Sequence, residues 1–192
     1  MPRQPERFDP RAILGALERN HVDYVLIGGL AQVIRGADIT TTSVDICPSF
    51  GPGNLERLAA TGAELGATTS DGGAVELTDA TIGAEPVVSL TTAVGALRII
   101  GSPAGAPKGF VDLRRGASKE HLGHGVQPQV ASVGDLARLA SALRRPHDVE
   151  RLAQLRRIIE LDADREPRPV GSTEPARKPS RSASRSARRL TR

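Results

Sequence analysis

The amino-acid sequence predicts an α/β domain built on a small mixed sheet, with further helices toward the C-terminus. Three observations favour this class. Short apolar runs that suit buried strands alternate with longer stretches of helical periodicity. A strand pattern at residues 24–27 ends directly at Gly28-Gly29, where a helix pattern begins. Two later strand patterns, close together on either side of Gly95, have the spacing of an antiparallel hairpin.

In the first half of the chain, capping residues and apolar periodicity predict three helices and two strands. Asp9 followed by Pro10 indicates a helix start, because aspartate caps unpaired backbone N–H groups and proline fits the first helical turn. The predicted elements are a helix at about 11–20, a strand at 24–27, a helix at about 30–35, a strand at about 40–47 and a helix at about 55–65.

The second half is predicted to contain four strands and three helices, with no internal repeat. Ser132 is the expected N-cap of the first long helix in this half. The predicted elements are a strand at 75–77, hairpin strands at 87–90 and 97–100, a loop at 101–109, a short helix at 110–115, a strand at 126–130 and helices at about 132–144 and 147–162.

Charge and composition divide the chain near residue 164. The chain carries a net charge of +4, of which residues 165–192 contribute +7, so the remaining 164 residues carry −3. Residues 165–192 are rich in Ser, Arg and Pro with little to bury, which predicts disorder. We therefore predict an N-terminal helix packed on the domain at 1–21, a core at 22–131, a C-terminal helical pair at 132–163 and a basic tail at 164–192.

The same composition predicts a bacterial-type cytoplasmic protein. No apolar run approaches the roughly 18–20 residues that a membrane span needs. The polar N-terminus lacks the apolar segment of a signal peptide. Cys47 is the single cysteine, which excludes an internal disulfide and a cysteine zinc cluster. The basic tail either contacts nucleic acid through its phosphates or simply keeps the chain in solution.

The stretch from residue 22 to 48 is the most informative for function. Its strand ends at Gly28-Gly29 and a helix begins at once. In that geometry the backbone N–H groups at the helix start can face a phosphate, and glycine allows the ligand to approach closely. The alternative is a tight turn without a ligand. A dinucleotide-binding site is disfavoured, because the G-x-G-x-x-G pattern is missing and the later hairpin implies antiparallel pairing.

This stretch resembles the nucleotidyltransferase superfamily, especially the toxins of type IV (abortive-infection type) toxin–antitoxin systems. Two later segments, 90–100 and 130–160, resemble the hairpin and the helical end of the same family. Three matches in the correct order, over residues 22–163, are more specific than any one of them. The positions of the first motif that match the family are Gly28, Gly29, Ala31, Gly36, Thr41 and Asp45.

The resemblance implies a two-metal site, and this sequence departs from it at the metal ligands. Active members hold two divalent cations with an Asp-x-Asp pair on one strand and a third acid on the neighbouring strand. Here the three positions are Ser43, Asp45 and Arg98, and Ala140 stands where a lysine is usual. If Arg98 faces Asp45, its guanidinium would pair with that carboxylate and repel Mg²⁺. A histidine of the family motif is replaced by Arg35.

We therefore predict a catalytically impaired protein that binds a nucleotide, an RNA or a protein partner such as a cognate antitoxin, with no cofactor. Asp45 and Ser43 are the residual catalytic candidates, with Asp45 as the remaining metal ligand. Gly28, Gly29 and Arg98 are the phosphate-binding candidates. One alternative is an active Mg²⁺-dependent transferase that modifies the acceptor end of an RNA such as tRNA. Another is a structural or regulatory module whose basic tail docks on nucleic acid.

Overall fold

The computed structural model describes residues 8–69, 72–73, 77–143 and 148–165. Capped helices alternate with short strands in these ranges, as the sequence predicts. The elements in chain order are α1 (Pro10–Arg19), β1 (Tyr24–Ile27), α2 (Gly28–Ile34), β2 (Ser43–Pro48), α3 (Pro52–Glu64), β3 (Thr68–Thr69), α4 (Asp79–Ala84), β4 (Val88–Thr92), β5 (Gly95–Ile99), α5 (Phe110–Arg114), β6 (Ser118–Lys119), β7 (Gln129–Val130), α6 (Val133–Leu143) and α7 (Asp148–Arg165).

The strands form one mixed sheet in the order β3-β4-β5-β2-β1-β7-β6. β1 pairs antiparallel with β2, whereas β2 pairs parallel with β5 and β1 pairs parallel with β7. β4 and β5 form the predicted antiparallel hairpin. The predicted class, a small mixed sheet flanked by helices, is confirmed. Its central strands β1 and β2 end beside the start of α2, which places the Gly-Gly turn next to the middle of the sheet.

The core is aliphatic, as a sequence with 2% aromatic residues requires. All four residues of β1 are buried, which explains its uninterrupted apolar run. α1 buries one face against the sheet, and the Asp9 carboxylate caps its first turn by accepting from the backbone N–H groups of Arg11 and Ala12. The predicted cap at Ser132 is also present, since its hydroxyl accepts from the N–H of Asp135 at 3.1 Å. No helix within the described ranges has the length and hydrophobicity to cross a membrane.

Several predicted boundaries and elements require correction. The strand predicted at 126–130 is reduced to Gln129–Val130, because Pro128 has no N–H to donate to a ladder. α2 begins at Gly28, two residues earlier than predicted, since the glycine turns directly out of β1. β3, α4 and β6 were not predicted. Most of the strand predicted at 75–77 lies outside the described residues, and Leu77 is not in a strand. Residues 1–7 and 166–192, with most of the predicted tail, also lie outside them.

Candidate functional site

A cavity of about 340 Å³ opens where β1 meets α2. Its floor is formed by the ends of β1, β2 and β5 together with the Gly28-Gly29 turn, and one wall is formed by α6. The predicted site residues Gly28, Gly29, Asp45 and Arg98 all line it. Ser43, the remaining predicted site residue, does not line it but contacts Asp45. The fold therefore brings together residues that are far apart in sequence.

Position 28 requires glycine, because its backbone lies close against the side chain of Asp45. Its φ angle is +70°, a conformation that residues with a Cβ rarely adopt. A Cβ at this position would lie 2.3 Å from Asp45 Oδ2. The antiparallel register that pairs Ile27 with Asp45 causes this close approach. The first glycine is thus explained by intramolecular packing, and a role for it in binding phosphate stays a prediction.

Gly29 is restricted in a similar way by a different neighbour. A Cβ on Gly29 would lie 2.9 Å from Oγ1 of Thr41. The Thr41 hydroxyl donates to the backbone carbonyl of Ser43 at 3.2 Å, which fixes its position at the entrance to β2. Both glycines of the motif therefore let the start of α2 lie against the segment that leads into β2.

Asp45 and Arg98 form the ion pair predicted from the sequence. They are direct partners in the parallel register of β2 and β5, so both side chains project from the same face of the sheet. Arg98 Nη1 donates to Asp45 Oδ2 at 3.3 Å. The Asp45 side chain is only 10% exposed and that of Arg98 is 31% exposed. At an intermediate dielectric, two such charges attract each other by a few kcal/mol before desolvation is counted.

Ser43 completes the surroundings of the Asp45 carboxylate. The two residues are separated by one position in β2, so their side chains share a face. Ser43 Oγ donates to Asp45 Oδ1 at 2.7 Å. Each carboxylate oxygen of Asp45 therefore has a donor from the protein, one neutral and one cationic.

The residues of this cavity do not fit a divalent metal ion. Mg²⁺ needs several oxygen ligands and negative charge. Among the described residues that line the cavity, Asp45 is the one carboxylate, and its charge is balanced by Arg98. The described part of the chain contains no group of three or more His, Cys, Asp or Glu side chains suited to a metal.

The cavity contains a buried polar residue that sequence reasoning missed. Gln32, on α2, is 6% exposed and lines the cavity. Among the residues that the structure describes, none donates a hydrogen bond to its Oε1 atom. The one trace of it in the sequence is its position, one helical turn after Gly28. Without coordinates, this glutamine is indistinguishable from a solvated one.

The α6 wall of the cavity is apolar. Leu136, Leu139, Ala140 and Leu143 share one helix face and line the cavity. Ala140 is the position at which the resembling family usually has a lysine, so this wall contributes no cation. Leu143 is 45% exposed, which places it at the rim.

Arg35, which replaces the histidine of the family motif, lies outside the cavity. Its side chain is 16% exposed and forms an ion pair with Glu120 at 2.5 Å. It also donates to the Ser118 hydroxyl and to the backbone carbonyls of Val130 and Ala131. Arg35 therefore links α2 to β6 and β7, with four hydrogen bonds from its guanidinium.

The single cysteine does not offer a nucleophile to the cavity. Cys47 is buried, and burial raises the pKa of its thiol to about 12. Its Sγ atom lies 3.7 Å from the carbonyl oxygen of Gly101. Reactive cysteines have lowered pKa values and access to solvent, and Cys47 has neither.

Comparison with solved structures identifies the fold. The antibiotic-resistance factor ANT(2'')-Ia, a nucleotidyltransferase, superposes with a TM-score of 0.52 over 80% of this chain and 83% of its own, at 14% identity. The Thermotoga maritima protein TM1012, described provisionally as a nucleotidyltransferase, gives a TM-score of 0.45 at 16% identity, over 81% of this chain and 91% of its own. No family model matches the sequence, and no curated protein is similar to it. The chain has a nucleotidyltransferase fold.

Proposed function

We propose that this chain is a catalytically impaired relative of the toxin–antitoxin nucleotidyltransferases that binds a nucleotide without a metal ion and does not transfer it. The fold supplies the scaffold, since solved nucleotidyltransferases share it at low identity. Fold alone does not determine activity, so the proposal depends on the chemistry of the cavity.

The ion pair between Asp45 and Arg98 is the observation that carries this proposal. Two-metal transfer needs a cluster of carboxylates whose negative charge is balanced by cations from solution. Here a guanidinium 3.3 Å from the remaining carboxylate balances it already. The hydroxyl of Ser43 occupies the other carboxylate oxygen at 2.7 Å. A metal ion would have to displace both donors and would meet repulsion from Arg98.

The volume and the lining of the cavity support the binding of a small ligand. Its volume of about 340 Å³ lies within the range of about 300–1,000 Å³ that small-molecule sites occupy. Apolar walls with a few polar groups are typical of such sites.

Nucleotide binding in the presence and absence of Mg²⁺ tests the proposal. The full-length chain would be titrated calorimetrically with ATP, GTP, CTP and UTP, first in a chelator and then in excess magnesium. We expect at least one nucleotide to bind, with dissociation constants that differ by less than about threefold between the two conditions, since no charge cluster recruits the ion. Magnesium-dependent transfer of a labelled nucleotide to tRNA would contradict the proposal and establish an active transferase.

A variant with a rebuilt carboxylate cluster provides the converse test. Ser43→Asp/Arg98→Asp places three acids on β2 and β5. We expect magnesium to tighten nucleotide binding to this variant by about tenfold or more. The control is Arg115→Asp, which replaces an exposed arginine outside the cavity and is expected to leave the magnesium response of the original chain unchanged. An equal magnesium response in the unmodified chain and the rebuilt variant would contradict the argument that the ion pair between Asp45 and Arg98 prevents metal binding.

A further inference from the structure

We infer that the cavity recognises the base of a nucleoside through Gln32 and gains little from the phosphates. This inference rests on the proposed function and specifies its ligand as a neutral, flat heterocycle with hydrogen-bond donors and acceptors along one edge. Gln32 is then a specificity-determining residue that binds the ligand directly.

The unpaired amide of Gln32 is the first argument. The side chain is more than nine-tenths buried and lines the cavity. In the described structure its Oε1 atom has no hydrogen-bond donor. Buried polar groups are nearly always paired in folded proteins, because an unpaired one loses its bonds to water without replacement. Oε1 is itself closed off from solvent, so a ligand in the cavity would provide the missing partner after the amide rotates about its soft terminal torsion.

An amide can pair with the edge of a nucleobase. The terminal torsion of glutamine is soft, so the oxygen and the nitrogen can exchange places at little cost. The group therefore offers one acceptor and one donor side by side, which is the pairing that glutamine makes with the adenine edge. A fully ionised phosphate group offers only acceptors and would leave Oε1 unpaired.

The walls of the cavity suit the faces of a flat ring. Leu136 and Leu139 on α6 present an apolar surface on one side, and Pro86, Val87 and Pro103 line other parts of the cavity. Burying the faces of a heterocycle against such side chains is favourable, because it removes apolar surface from water. The polar edge of the same ring then meets Gln32 at the floor.

The charge of the cavity disfavours recognition of phosphates. Arg98 is the one cationic side chain among the described residues that line it, and Asp45 balances its charge. The α6 position that commonly has a lysine in the resembling family is Ala140. A triphosphate would therefore bring several negative charges to a region that is close to neutral. Its phosphates are expected to remain in solvent.

Comparison of nucleosides with their triphosphates tests this inference. The full-length chain would be titrated with adenosine, guanosine, cytidine and uridine and with the four triphosphates, all in a chelator. We expect the preferred nucleoside to bind about as tightly as its triphosphate, within roughly threefold. We also expect Gln32→Leu to weaken binding of that nucleoside by about tenfold, the effect of losing a paired hydrogen-bonding group.

Controls separate recognition from folding. Gln127→Leu removes a half-buried amide outside the cavity and is expected to leave nucleoside binding unchanged. Gln32→Leu is expected to raise the melting temperature of the unliganded chain, because it removes an unpaired polar group from a buried position. A purely structural Gln32 would give the opposite shift. Gln32→Met, of similar length, serves as a second variant with the same expected loss of binding.

Each outcome decides between the two proposals. If binding is independent of metal but unchanged in Gln32→Leu and Gln32→Met, or if triphosphates bind far more tightly than nucleosides, the inference about Gln32 is wrong and the proposed function survives. If binding appears only with magnesium, or no nucleoside or nucleotide binds at all, the proposed function is wrong and this inference fails with it.

Discussion

Asn54 and Gln32 are both buried amide side chains, with exposures of 3% and 6%, but their surroundings differ. Asn54 lies at the end of β1 and β2 remote from the cavity. It accepts from the backbone N–H of Asp23 at 2.7 Å and donates to the carbonyls of Asp23 and Ser49, each at 2.9 Å. Gln32 lies at the cavity end, and none of the described residues donates to its Oε1. One amide is paired within the fold, and the other has an unpaired oxygen.

Two partly buried arginines, Arg35 and Arg98, show a similar contrast. Arg35 is bound by Glu120, Ser118 and two backbone carbonyls. Arg98 has a single 3.3 Å contact with Asp45. Arg35 is thus held within the chain by several groups, whereas the contacts of Arg98 with the described residues leave part of its guanidinium unused. Unpaired buried atoms also occur away from the cavity, at Tyr24 Oη and Arg57 Nε, so the contrast holds for these two arginines and these two amides and not for every residue.

The largest expected effect concerns the two amides. Asn54→Leu is expected to lower the free energy of unfolding by about 3 kcal/mol, because it removes three hydrogen bonds and leaves the part-buried backbone N–H of Asp23 and carbonyl of Ser49 without their side-chain partner. Gln32→Leu is expected to raise the free energy of unfolding slightly, because it removes an unpaired polar group from a buried position. Urea denaturation of both variants beside the parent chain measures the difference. Equal destabilisation by the two substitutions would contradict the distinction between the paired amide of Asn54 and the unpaired amide of Gln32.

The two arginines give a somewhat smaller contrast. Arg35→Met is expected to cost about 3 kcal/mol, since it removes the ion pair with Glu120 and two hydrogen bonds to backbone carbonyls. Arg98→Met is expected to cost about 1 kcal/mol, because Asp45 keeps the Ser43 hydroxyl and some access to solvent. The same denaturation experiment applies. The order of the two effects, rather than their absolute size, is the result that matters.

The stability of the chain at alkaline pH tests the buried residues of the sheet. Burial raises the pKa of Cys47 to about 12 and, aided by the charge of Glu18, raises that of Tyr24. A group whose pKa is raised in the folded state makes its full contribution to stability below its unfolded pKa. That contribution is lost as the pH rises toward the folded pKa. From about pH 9 to about pH 10.5, Cys47 alone is expected to cost about 2 kcal/mol of stability. Denaturation across this range measures the slope, and Cys47→Ala is expected to reduce it.

Much of the path from β1 to β2 could be predicted, because strong local signals agree there. The apolar run, the Gly-Gly turn and the alternation around Val44 and Ile46 determine the two strands and the helix between them. The pairing of Asp45 with Arg98 was also predicted, since strand alternation places both side chains on one face once β2 and β5 are neighbours.

The remaining elements depend on tertiary contacts that leave little trace in sequence. β6 consists of Ser118 and Lys119, whose polar side chains show no strand pattern, and it forms only because β7 lies beside it. α4 is six residues long and depends on the reciprocal cap between Thr78 and Thr81. The unpaired state of Gln32 could not be predicted for the same reason. It is a property of the groups that surround the amide, which come from distant parts of the chain.

Within the part of the chain that the structure describes, the sheet ends on both sides in strands of two residues, β3 (Thr68–Thr69) and β6 (Ser118–Lys119). An edge strand exposes unpaired backbone N–H and C=O groups that can pair with a strand of another chain. A longer edge strand offers more of these groups. Two residues provide too little backbone to hold an incoming strand in register. The brevity of β6 therefore disfavours the addition of an incoming strand at that border of the sheet.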